Sequence, residues 1–147
     1  MAAKLDVNYL CPHCRSHLRI WNNIVFSVKS CDADKQGLLL LNPELGNYEF
    51  ISHYSLEFKE EECLDFFCPV CSANLIAADT DINMARIIMI DKDEKEYDVY
   101  FSRIRGKHST FKVQENDIVE RYGKDSSSYV EYFMARFQQK KTKDQKE

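Results

Sequence analysis

Two short cysteine pairs constrain this chain more tightly than any other feature: Cys11-Pro12-His13-Cys14 and Cys68-Pro69-Val70-Cys71. Each sets two thiols close enough in sequence for one tight turn to aim both at a single point. Four thiolates from two such turns complete a tetrahedral shell around Zn²⁺, with Zn–S distances of roughly 2.3 Å and no position left for a substrate. A lone pair would also suit a redox enzyme, whereas two proline-containing pairs in one short chain point to a metal. The expected site is therefore Cys11, Cys14, Cys68 and Cys71 around one structural Zn²⁺ per chain. The pairs are separated by 53 residues, well beyond the ~15–20 of a compact four-cysteine unit. That segment has to leave the metal and return to it, which loop-closure entropy permits at modest extra cost.

The spacing of apolar residues says how it returns. Leu5, Val7 and Tyr9 alternate into the first pair. Leu18, Ile20, Ile24, Phe26 and Val28 then share one face, as one strand or as two broken near Asn22-Asn23. Residues 32–37 turn the chain, 38–41 read as a buried strand, and 42–47 turn it again. Tyr48, Phe50, Tyr54, Leu56 and Phe58 alternate with Glu49, His53, Glu57 and Lys59, which predicts one long half-buried strand. After the acidic turn Glu60-Glu61-Glu62, a strand over 63–67 delivers the second pair. Beyond a polar joint, strands are expected over 84–90, 97–102 and 111–113, forming an antiparallel meander. The period then changes. Asn116 is placed to cap a short helix through Tyr122 that Gly123 ends. Ser128 with Glu131 makes a capping-box pattern before Val130, Phe133, Met134 and Phe137, which predicts an amphipathic helix packed on the sheet.

The two Cys-Pro-X-Cys turns and their strand-like flanks resemble the zinc-ribbon superfamily, in which two such knuckles on separate β-hairpins clamp one structural zinc. With that resemblance, the expected fold is mostly β. A zinc-ribbon region with a β-meander between its knuckles occupies residues 1–80. A second antiparallel meander with the C-terminal amphipathic helix occupies 81–140 on the same core, and 141–147 form a frayed tail. The resemblance also implies a rigid platform of the kind found in transcription, translation and modification machineries. A narrower likeness covers four residues only: Cys11-Pro12-His13-Cys14 matches the active-site tetrapeptide of the oxidising thioredoxin-like proteins. There the first thiol sits at a helix N-terminus. Here the tetrapeptide runs into the alternating Leu18, Ile20, Ile24 and Phe26, and no βαβ pattern surrounds it. A thiol–disulfide redox protein using Cys11 and Cys14 is thus a third function class.

At 147 residues, 44% hydrophobic and 30% charged, the chain can bury a core without disulfide staples. Lys and Arg number 20 against 24 Asp and Glu, and the net charge of −4 argues against a protein that coats nucleic acid. No run approaches the ~20 apolar residues of a membrane span, so no membrane partner is expected. The N-terminal residues lack the apolar centre of a signal peptide, and a cytoplasmic protein with reduced thiols follows as the expectation. Cys31 and Cys63 then read as strand-packing thiols, with Cys31→Ser a mild change. A second metal site using these two thiols with His17 or His53 is the sharper reading of the same residues.

No Ser/His/Asp set and no paired carboxylates can be assembled from the chain. The expectation is a non-enzymatic module that binds a protein partner, with no small-molecule substrate implied. Nucleic acid is the alternative partner, through Arg103, Arg105, Lys107 and Lys112, which interleave with Tyr100, Phe101 and Phe111 in a stretch free of acidic residues. Arg103, Arg105 and Lys107 share parity with Tyr97, Val99 and Phe101, so a regular strand would bury them. A bulge or the strand's end near Ser102 is expected to re-aim them into an exposed basic tip around Gly106.

Overall fold

The alternating stretches form ten short strands in the residues that the computed structural model describes, which are 7–32, 34–77, 84–115, 117–127 and 129. They are β1 (Asn8–Leu10), β2 (Arg19–Ile20), β3 (Asn23–Ser30), β4 (Gln36–Leu41), β5 (Phe50–Ser52), β6 (Leu64–Phe67), β7 (Met84–Ile90), β8 (Glu96–Ser102), β9 (Thr110–Gln114) and β10 (Asp117–Tyr122). One antiparallel sheet runs β1-β7-β8-β9-β10 and the other runs β2-β3-β4-β5, with β6 also paired to β3. β3 shows how the pattern sets the architecture. Ile24, Phe26, Val28 and Ser30 are buried, while Val25, Ser27 and Lys29 face the other way.

Both sheets contribute to one core. Phe26 and Phe66 of one sheet meet Phe101 of the other, with ring centroids 5.1–5.7 Å apart. Two of the three pairs are edge to face, the arrangement the ring quadrupoles favour. Ile87, Met89 and Val99 pack against Leu18, Ile24 and Leu39 in the same cluster. The opposite face of the first sheet is also apolar: Met84, Tyr100, Phe111 and Val113 cluster there with Ala77, Ile118 and Tyr129.

Several sequence expectations need correction. Tyr48 to Phe58 is not one strand. Pairing ends at Ser52, and His53-Tyr54-Ser55 turns the chain through a Ser55 N–H bond to His53 Nδ1 (3.1 Å) and a Leu56 N–H bond to the His53 carbonyl (2.8 Å). Leu56 and Phe58 are buried all the same. Asp117–Tyr122 is a strand and not a helix: it pairs with β9 through a two-residue loop, with Glu115 at φ 51°. Its burial alternates with period two across a bulge at Val119: Ile118 packs with Val113 on one face, while Glu120 and Tyr122 lie opposite Lys112 and Thr110 on the other. The turn at Trp21-Asn22 sets Ile20 opposite Asn23, on the face turned away from Ile24, so Ile20 is exposed while Leu18 and Ile24 are buried. Of the predicted helix over 128–137 only Tyr129 is among the described residues; the rest of that span and the tail over 141–147 lie outside them.

Candidate metal centre

β3 and β7 are the long strands that position the cysteines. Each offers one edge to two short segments, one from each knuckle hairpin. The first hairpin pairs β1 with β7 (Leu10 opposite Ile88), passes through Cys11–Cys14, and continues into β2, which pairs with β3 (Ile20 opposite Asn23). The second runs the other way. β6 pairs with β3 (Phe66 opposite Val28), passes through Cys68–Cys71, and leads to a segment whose Ile76 bridges Ala85 of β7. The insert between the knuckles therefore returns by laying β6 along the strand that follows the first knuckle.

The two knuckles are built alike. Cys11 N–H donates to the Ser16 carbonyl (3.0 Å) and Arg15 N–H to the Cys11 carbonyl (2.9 Å). Cys68 N–H donates to the Ala73 carbonyl (3.0 Å) and Ser72 N–H to the Cys68 carbonyl (2.9 Å). The residue after each second cysteine takes a left-handed conformation, Arg15 at φ 60° and Ser72 at φ 67°. The amides of His13 and Cys14 lie 3.3 and 3.5 Å from Cys11 Sγ, and those of Val70 and Cys71 lie 3.3 and 3.4 Å from Cys68 Sγ. N–H groups aimed at a sulfur favour its anionic form.

All four sulfurs lie within 4.8 Å of one another, with Cys11 to Cys71 and Cys14 to Cys68 both at 3.8 Å. A regular tetrahedron with arms of roughly 2.3 Å has edges of about 3.8 Å, so the donor set fits a tetrahedral thiophilic metal. The four cysteines could hold a metal ion. Cys11 and Cys68 are buried, and Cys14 and Cys71 are exposed. Burial pushes the Cys11 thiol up to about 12, whereas the Ser16 hydroxyl and amide bring Cys14 down to about 6. An attacking first cysteine of the thioredoxin-like kind needs the opposite shift. His13 is exposed beside the site.

The remaining cysteines depart from expectation. Cys31, just past β3, and Cys63, just before β6, form a disulfide with Cα atoms 5.4 Å apart. Neither is a lone packing thiol, and they build no second metal site with His17 or His53. β3 and β6 are already neighbours, and the Cys31 amide donates to the Cys63 carbonyl at 2.9 Å, which holds the two side chains together.

Of Arg103, Arg105 and Lys107, expected together at an exposed basic tip, Lys107 is exposed, Arg105 is half-buried and Arg103 is buried. β8 does end at Ser102, but Arg103 turns inward: its side chain is 8% exposed and pairs with Asp65. Its Nε donates to the Leu64 carbonyl at 3.1 Å. Arg105 pairs with Glu60 (2.8 Å) and Lys107 with Glu61 (3.7 Å). Lys112, 15% exposed, pairs with Glu120 at 2.8 Å and lies 4.1 Å from the centre of the Tyr97 ring. The acidic turn Glu60-Glu61-Glu62 thus supplies the partners of Arg105 and Lys107. Backbone bonds join the same segments, from Glu61 N–H to the Arg105 carbonyl, Arg105 N–H to the Glu62 carbonyl and Leu64 N–H to the Arg103 carbonyl. Some forty residues separate the two segments, and no local pattern announces their pairing.

No protein-family model, no curated protein and no solved structure matches this chain. Its functional reading rests on its own geometry.

Proposed function

We propose that this chain is a zinc-ribbon-like, non-enzymatic module in which one structural Zn²⁺, held by Cys11, Cys14, Cys68 and Cys71, fixes a β body that docks on a protein partner. The observation that carries the metal reading is the matched pair of knuckles, with sulfur separations of a tetrahedral thiolate site. The outer face of the second sheet supports the docking reading. Cross-strand register sets Val25, Leu40 and Ile51 in one row, with Leu38 beside Ser27. Leu38 and Ile51 are well over half exposed, and Trp21, at the hairpin tip between β2 and β3, is 89% exposed. Contiguous exposed apolar surface with an aromatic anchor is the composition of protein interfaces. The basic residues favour this reading over nucleic acid, because each already has a carboxylate partner.

Two measurements test the proposal. Element analysis of protein prepared without added metal is expected to find one zinc per chain, and less than half an equivalent in folded protein would remove the metal reading. A photoreactive amino acid in place of Trp21 is expected to yield a discrete protein adduct in cells that Leu38→Lys with Ile51→Lys abolishes. Nuclease-sensitive adducts would favour nucleic acid instead.

A further inference from the structure

Where the two sheets splay apart, they enclose a cavity of about 320 Å³. Its walls are apolar and come from both sheets: Ile24, Leu39 and Phe66 on one side, Ile87, Val99 and Phe101 on the other. All six are buried. The volume lies at the lower end of the range of small-molecule sites, roughly 300–1,000 Å³. At about 30 Å³ per water-sized group, it accommodates on the order of ten non-hydrogen atoms.

The rim is polar. Tyr48, Glu60, Arg105, Lys107 and His108 line it, with Glu44 as a further carboxylate. Tyr48 is fixed there by stacking on His108, with centroids 4.3 Å apart, and by a 3.0 Å hydrogen bond to Thr110. Arg105 carries the decisive feature. Glu60 takes its Nη1 at 2.8 Å, and its guanidinium lies 5.7 Å from the centre of the Phe50 ring, while its Nε–H is buried with no acceptor. The Arg105 side chain keeps 32% of its surface exposed, so the cation remains accessible beside the cavity. A guanidinium edge suits a carboxylate, which offers two coplanar oxygens.

We propose that this cavity binds a small monocarboxylate with an apolar body of about eight carbons, its chain between the sheets and its carboxylate at the Arg105 guanidinium on the rim. The site is independent of the metal and of the outer apolar face. It is absent from any local motif because its walls come from strands of both halves of the chain.

Titration of the purified full chain with octanoate, followed by calorimetry and by the methyl signals of Ile87 and Val99, tests it. Saturable one-to-one binding is expected, with 1-octanol at least tenfold weaker because it lacks the charged head. Arg105→Gln is expected to weaken octanoate about tenfold and leave 1-octanol unchanged. Val99→Trp, which fills the cavity, is expected to abolish both. 3-Phenylpropanoate in place of octanoate tells a ring-bodied ligand from a chain-bodied one, and saturable binding of either supports the site. The proposal is overturned if neither carboxylate binds saturably, or if octanoate and 1-octanol bind the unaltered chain alike. The second comparison needs no variant, so it decides the matter even if a substitution disturbs folding.

Discussion

Cys31 and Cys63 show how far a single residue's role depends on its partner. Read alone, each is a small apolar side chain; joined, they close a loop with a sequence separation of 32. The chain-entropy account values such a loop at about 3–4 kcal/mol, equivalent to roughly 6–16 °C in melting temperature for a chain this size. Cys31→Ser is therefore expected to be costly and not mild, and Cys63→Ser equally so, as thermal melts would show. Alkylation of the denatured, unreduced chain should modify four of its six cysteines, and six modified would show the pair to be reduced. A disulfide suits oxidising compartments and free thiolates suit reducing ones, so the same assay reports which chemistry the chain meets in the cell. Glu62 supplies a second residue-scale test. The Ser30 hydroxyl, the Lys59 amide and Lys35 hold its carboxyl down from 4.5 to about 2. A carboxylate depressed in the folded state stabilises it above the unfolded value, and that contribution fades as pH falls from about 4.5 toward 2. Glu62→Gln should lose stability at pH 6 and converge on the unaltered chain near pH 2. Thiolate protonation weakens any metal site in both chains alike, so the difference between their melts isolates Glu62, and parallel curves would refute the assignment.

At the scale of elements, the readings that succeeded were those carried by local spacing. The knuckles were legible because two thiols and a proline in four residues specify a turn and its chemistry together. β3 and β8 were legible because their alternation persists over seven or eight residues, and β7 because its apolar run has the length of a buried strand. β10 was misread because Asn116 and Gly123 flank it as a cap and a stop would flank a helix, yet Ile118-Val119 at its start are β-branched and favour a strand. Gly123 does mark the end of that element, for another reason. It sits at φ 102°, and a Cβ there would overlap the His108 carbonyl oxygen and come within 2.6 Å of Tyr48 Oη. Asp125 N–H donates to that same carbonyl (2.9 Å), and the Asp125 carboxylate accepts from His108 N–H (2.9 Å). Gly123 thus lets the end of β10 close against the loop between β8 and β9. Gly123→Ala combines a disfavoured φ with backbone overlap and is expected to cost more than about 2 kcal/mol. A denaturant midpoint unchanged from the parent would mean that the contact is not made.

Across the whole molecule, the two sheets are joined covalently and by hydrogen bonds at the knuckle hairpins, and again where 61–64 meets 103–105. The second junction was invisible in the sequence, since complementary charges some forty residues apart have no period to reveal them, and the cavity beside it was hidden for the same reason. The proposed metal acts at the first. Each knuckle hairpin takes one flank from each sheet, so releasing the four sulfurs frees β1, β2 and β6 at their turns together and loosens the edges of β3 and β7. Apparent structural-zinc binding energies of about 10–16 kcal/mol in small zinc-finger peptides match or exceed the whole stability of a typical domain, about 5–15 kcal/mol. Stripping the metal with a strong chelator at pH 7, without reductant, is therefore expected to abolish the cooperative thermal transition, and one equivalent of Zn²⁺ should restore it. Cys14→Ser and Cys71→Ser should behave like the stripped protein. Because binding requires thiolates, the metal should also be released as pH falls, with protons taken up by the sulfurs. A stripped chain that keeps its full transition would show that the disulfide and the second junction suffice to hold the sheets. The knuckles would then be a metal-binding attachment to a fold that stands without them.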